Sequence, residues 1–79
     1  MELDELLVYL AEGLVDDPEQ VSVECYDQED GTILLELVVG ADDYGNVIGR
    51  GGRTVHALRA VVKAAAARDG QRTLVEIVD

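Results

Sequence analysis

The sequence predicts an α+β sandwich of order α-β-β-α-α-β, with three helices on one face of a three-stranded mixed sheet. Three observations predict it. Leucines recur at three- and four-residue steps near the start, two alternating apolar/polar segments follow, and a glycine-broken helical region separates the second of these from a third. A short hairpin makes the first two strands antiparallel. The crossover through two helices is right-handed and makes the second and third strands parallel.

Taken in order, Leu3, Leu6, Leu7, Leu10 and Leu14 share one face of a helix over roughly residues 2 to 15. Asp4 and Glu5 suit the positive end of its dipole, and Asp16-Asp17-Pro18 ends it. Val21, Val23 and Cys25 then alternate with Ser22, Glu24 and Tyr26, the period of a half-buried strand. Asp27 to Gly31 is polar, short and closes on glycine, a hairpin turn. Residues 32 to 39 are the most apolar and fit a central strand, with Ile33, Leu35, Leu37 and Val39 on one face. Asp42 is placed to cap a short helix over about 43 to 48, with Val47 and Ile48 turned inward. After the glycine cluster a long helix covers about 53 to 68, Gly70 stands where a C-terminal glycine is expected, and Thr73 to Val78 form the last strand. On the long helix Val55, Leu58, Val62 and Ala65 are expected to face the core.

A chain of 79 residues suits one domain, residues 1–79, with no linker or repeat. Cys25 is the sole cysteine, so no internal disulfide or zinc site is expected, and its place in an alternating segment predicts a small buried hydrophobe. With no signal-like N-terminus and no apolar run long enough to span a bilayer, the expectation is a cytoplasmic protein with no membrane partner. No carboxylate, histidine and hydroxyl set points to catalysis, so neither an enzyme, nor a cofactor, nor a small-molecule substrate is expected.

The net charge of −11 opposes nucleic-acid binding, but its distribution changes that. Residues 1 to 49 carry fourteen acidic and no basic side chains, whereas all six Lys and Arg lie between Arg50 and Arg72. The acidic half either confines RNA to one face or simply keeps the domain soluble, as adaptation to salt would also do. The first two cations bracket Gly49-Arg50-Gly51-Gly52-Arg53. Glycine lets backbone N–H groups approach an anion closely and guanidiniums add charge and paired donors, a combination that fits phosphate. A nucleotide-binding P-loop is excluded, because there is no G-x-x-x-x-G-K-[ST] and the glycines follow a helix.

Val47-Ile48-Gly49-Arg50-Gly51-Gly52-Arg53-Thr54-Val55 resembles the V-I-G-x-x-G-x-x-I signature of KH domains, and the element order matches their type II arrangement. The leucine-rich first helix, the Asp-Pro break, the stretch from Arg53 to Arg59 and the Leu74-Val75-Glu76-Ile77-Val78 ending are similar to the KhpA family of small stand-alone KH proteins. The resemblance covers essentially the whole chain. It implies a type II KH fold and single-stranded RNA bound between the glycine loop, its two helices and the sheet edge. Val47, Ile48, Gly49, Arg50, Gly51, Gly52, Arg53 and Arg59 are then the RNA-binding residues, with Val39 a further candidate for the groove floor. The family's variable pair is Arg50-Gly51 here, where many relatives carry a second basic or polar side chain. His56 is expected to be solvated, and Tyr44 to anchor the short helix.

The resemblance further implies an RNA chaperone or post-transcriptional regulator, a link to cell-wall homeostasis and cell-length control, self-association, and pairing with a larger KH protein, KhpB (Jag, EloR). Ala57, Val61 and Ala64 form a small-residue flank on the long helix that would let another helix approach, although alanine also serves helix propensity alone. The alternative class is a protein-protein adaptor with a KH fold that binds RNA weakly or not at all.

Overall fold

The computed structural model describes residues 1–79. The helices are α1 (Leu3–Glu12), α2 (Tyr44–Ile48) and α3 (Arg53–Ala67), and the strands are β1 (Ser22–Asp27), β2 (Ile33–Val38) and β3 (Thr73–Val78). Short 3₁₀ turns cover Pro18–Gln20, Ala41–Asp43 and Arg50–Gly52. The sheet order is β1-β2-β3, with β1 antiparallel and β3 parallel to the central β2. The predicted architecture and strand directions therefore stand.

Leu7 and Ala11 of α1, Leu35 and Leu37 of β2, Val39, Val47 of α2, Leu58 and Val62 of α3, and Val75 of β3 form one buried cluster. Alternation places Leu35, Leu37 and Val39 on the same side of the central strand, where all three helices converge. On α3 the buried positions are Val55, Leu58, Val62 and Ala66. Ala65, expected to face the core, is only half-buried because the stripe continues in four-residue steps from Leu58.

Four further expectations are corrected. First, α1 stops at Glu12, before the Asp-Pro break, and glycine at position 13 is a poor helix former. Leu14 is consequently 36% exposed, and Val15 packs against the core in its place. Second, Asp42 caps nothing, and the short helix begins at Tyr44. The working carboxylate is its neighbour Asp43, 3% exposed, which accepts the backbone N–H groups of Asp16 (2.9 Å) and Asp17 (3.1 Å) and the Asn46 amide (2.9 Å). Third, α3 ends one residue early, at Ala67. Fourth, Cys25 is exposed. It lines a cleft of about 600 Å³ with Leu3, Leu6, Ile33 and Ala65, where the start of α1 fails to cover the edge strand. The partial desolvation it retains, then the charges of Asp4 and Asp27, push its thiol pKa up, which disfavours the reactive thiolate.

No helix covers the other sheet face. Its side chains lie in three cross-strand rows: Tyr26, Leu34 and Leu74; Glu24, Glu36 and Glu76; Ser22, Val38 and Val78. The middle row sets three carboxylates abreast, which costs stability because like charges face each other across the ladder. The Tyr26 hydroxyl donates to Glu24 at 2.6 Å, and that bond is the first cause of its raised pKa.

Candidate nucleic-acid interface

The residues from Val47 to Arg53 form a tight junction between α2 and α3. The Gly49 N–H closes α2 on the Gly45 carbonyl at 2.9 Å, and the Gly52 N–H donates to the Gly49 carbonyl at 3.1 Å. Gly49 (φ 77°, ψ 169°) is in a backbone region that essentially only glycine occupies, and Thr54 also stands where its Cβ would be. Gly51 (φ 64°, ψ 18°) and Gly52 (φ 78°, ψ 12°) are left-handed but face open space. The reversal that follows turns the chain straight into α3, whose first N–H groups no side chain caps. They contribute the partial positive charge of a helix N-terminus beside Arg50 and Arg53.

The predicted site residues divide into three groups at the junction, with Arg59 apart. Arg50, Gly51 and Arg53 are exposed at the junction, and neither arginine has an acidic partner; the molecule's one salt bridge joins Arg72 to Asp30 at 3.9 Å. Ile48, Gly49 and Gly52 are half-buried and shape the turn. Val47 has no exposed surface, and Val39 only 2%, so both support the junction from beneath instead of lining a groove. Arg59 lies about 9 Å further along α3 than Arg53, given the helical rise. Its Nε and Nη2 donate to the Val75 carbonyl at 3.2 and 3.1 Å, spanning from α3 to the edge of β3.

Sequence reasoning passed over Lys63, which lies one turn beyond Arg59 and lines the same α3–β3 groove. The four-residue spacing from Arg59 was the available signal. His56 is exposed, one turn before Arg59. Tyr44, 38% exposed, begins α2. Ala57, Val61 and Ala64 are all exposed on a separate flank of α3, Val61 to 45%.

Asp43 ties this junction to the rest of the fold. Hydrogen bonds from the Asp16 N–H, the Asn46 amide and the Asp17 N–H hold its carboxyl below the ordinary aspartate value of 3.8, against an opposing desolvation. A depressed folded-state pKa contributes stability that is present above 3.8 and lost as pH falls through the folded value. Asp43→Asn is expected to melt below the parent protein at neutral pH, with the gap narrowing as pH drops below the usual carboxylate range. Melting curves across that range check this, and a gap independent of pH would contradict it.

A helix-turn-helix junction with G-x-x-G glycines, inserted between two parallel strands and set against one sheet face, defines a KH domain of the type II arrangement. The family model described as KhpA/KhpB, KH domain matches residues 4–77, and the chain belongs to that family. Among its relatives are proteins named RNA-binding protein KhpA. That of Clostridium perfringens is 46% identical, covering 96% of this chain and all of the relative. That of Halalkalibacterium halodurans is 47% identical, covering 94% and 96%, and that of Streptomyces coelicolor 44%, covering 95% and 94%. A crystal structure of Era in complex with MgGDPNP and a segment of 16S ribosomal RNA aligns with a TM-score of 0.63 at 16% identity. It covers 95% of this chain and 28% of that one, a likeness of fold. No helix is long and apolar enough to cross a membrane.

Proposed function

We propose that residues 1–79 act as one KH unit that binds single-stranded RNA, with the Gly49–Gly52 loop clamping the sugar-phosphate backbone. The observation that carries this reading is the pair Arg50 and Arg53, exposed and free of acidic partners beside glycine backbone and the uncapped start of α3, in a molecule otherwise dominated by acid. The names of the relatives support it. Phosphate lies against the loop N–H groups and the two guanidiniums, Ile48 borders the bases, and the acidic remainder repels RNA from other faces. The chemistry is binding, and it suits a cytoplasmic RNA chaperone or post-transcriptional regulator. The family resemblance extends the reading to cell-wall homeostasis and cell-length control.

Fluorescence anisotropy of a short single-stranded RNA titrated at two salt concentrations tests the clamp. Binding that weakens steeply with salt is expected, because each neutralised phosphate releases counterions. Salt-insensitive binding, or none, would sink the reading.

The exposed Ala57, Val61 and Ala64 flank supports pairing through α3, with a second copy or with a KhpB-like KH protein, which would set two clamps side by side and strengthen a weak site by avidity. Val61→Asp is expected to convert any dimer to monomer in sedimentation without unfolding the chain. An unchanged dimer would move the interface elsewhere. The same exposure of Val61, with Leu74 at 58% on the open sheet face, favours as a second reading an adaptor that works through protein contacts.

A further inference from the structure

The groove between α3 and β3 holds a donor set that a backbone clamp does not use. β3 pairs with β2 along one side only. Arg72 and Val78 direct their carbonyls to β2, so by alternation Thr73, Val75 and Ile77 present theirs to the free edge. Arg59 is anchored there. A guanidinium carries its five N–H donors in a fixed planar fork, so spending the Nε/Nη2 edge on the Val75 carbonyl sets the direction of the rest. The end-on edge, one N–H from each Nη, remains as two parallel donors.

The surroundings specify what those donors meet. Lys63, Thr73, Leu74 and Glu76 wall a groove of about 320 Å³ around Arg59. Leu74, 58% exposed, offers an apolar surface for a flat ring. Lys63 and Glu76 offset one another, so the place draws phosphate less strongly than Arg50 and Arg53 do together. A neutral planar group with two adjacent acceptors fits. Among unpaired bases, guanine presents such a pair at O6 and N7, and cytosine presents one at N3 and O2. Uracil sets its N3–H donor between O2 and O4, and adenine parts N7 from N1 with its amino donor while its N1 and N3 lone pairs diverge across C2–H, so neither offers two acceptors that point the same way.

We propose that Arg59, held by the Val75 carbonyl, is a specificity-determining residue that selects guanine or cytosine in the α3–β3 groove. The assignment rests on the RNA-binding reading above and assigns Arg59 to a base instead of a phosphate. The test is anisotropy with short single-stranded oligonucleotides that differ only in their central bases (G, C, A, U or 7-deazaguanosine), titrated with the parent protein and with Arg59→Lys. Lysine keeps the charge and loses the fork.

The expected result is a roughly tenfold preference for G- or C-centred RNA over A and U, which Arg59→Lys erases. Loss of a guanine preference with 7-deazaguanosine would assign the O6/N7 edge; a preference for cytosine would assign N3/O2. The deaza substitution alters only the RNA, so it is independent of protein stability. Equal binding of all four bases by the parent, or a preference that survives in Arg59→Lys, would overturn the assignment while leaving the clamp intact. Failure to bind any oligonucleotide would overturn the RNA reading and this assignment together.

Discussion

Gly49→Ala is expected to lose at least about 3 kcal/mol of stability, a large share of what a domain of this size holds. Two independent effects act at one atom. A φ of 77° with ψ of 169° is a conformation that a Cβ-bearing residue rarely adopts. The added Cβ would also meet Thr54 Oγ1, lie 2.7 Å from Thr54 Cβ and lie 2.9 Å from its backbone nitrogen. Rotating the threonine side chain relieves the first contact and leaves the others, so α3 would have to shift at its first turn. Gly51→Ala provides the comparison, because its φ of 64° is left-handed but nothing lies within 4 Å of a new Cβ. That variant is expected to cost about 1 kcal/mol. Thermal melts by circular dichroism separate the two; similar melting temperatures would mean that the junction yields more easily than its geometry indicates.

The double variant Arg50→Asp, Gly51→Asp is expected to weaken RNA binding by about a hundredfold or more at low salt, with a melt close to the parent's. One cation is removed and two anions are placed against the phosphates. The loop tolerates the change because both positions are exposed and aspartate adopts the left-handed region more readily than most residues. Anisotropy against the same RNA pool, paired with the melt, checks it. Retained binding would remove the loop from the interface, and an unfolded variant would show that position 51 is as constrained as position 49.

The strands, their directions and the glycine junction were legible in the sequence because each depends on periodicity or local backbone chemistry. The alternation from Ile33 to Val39 gives the central strand directly, and the glycine pattern marks a reversal that few other residues permit. The features that escaped depend on long-range placement. Asp43 bonds backbone groups 26 and 27 residues earlier, and nothing local distinguishes it from Asp42. The exposure of Cys25 follows from where α1 starts relative to the end of β1, whereas alternation reveals only which side a residue takes. Val47 falls in the motif yet belongs wholly to the core. Arg59 could be recognised as a cation one face along from the loop. Its bond to Val75 requires the helix and strand to be in place.

The position of the junction within the crossover has a consequence for how recognition arises during synthesis. α2, the glycine turn and α3 connect two strands that pair with each other, so the helices are anchored at both ends only when β3 has docked beside β2. Closing that long loop carries an entropic cost before the pairing contacts offset it, and such non-local steps are slow. The glycine-arginine segment leaves the ribosome before the strand that holds it. A nascent chain therefore displays the positive charge first and gains the geometry later, and the discrimination among bases proposed for Arg59 would begin only when the edge of β3 is present to hold it.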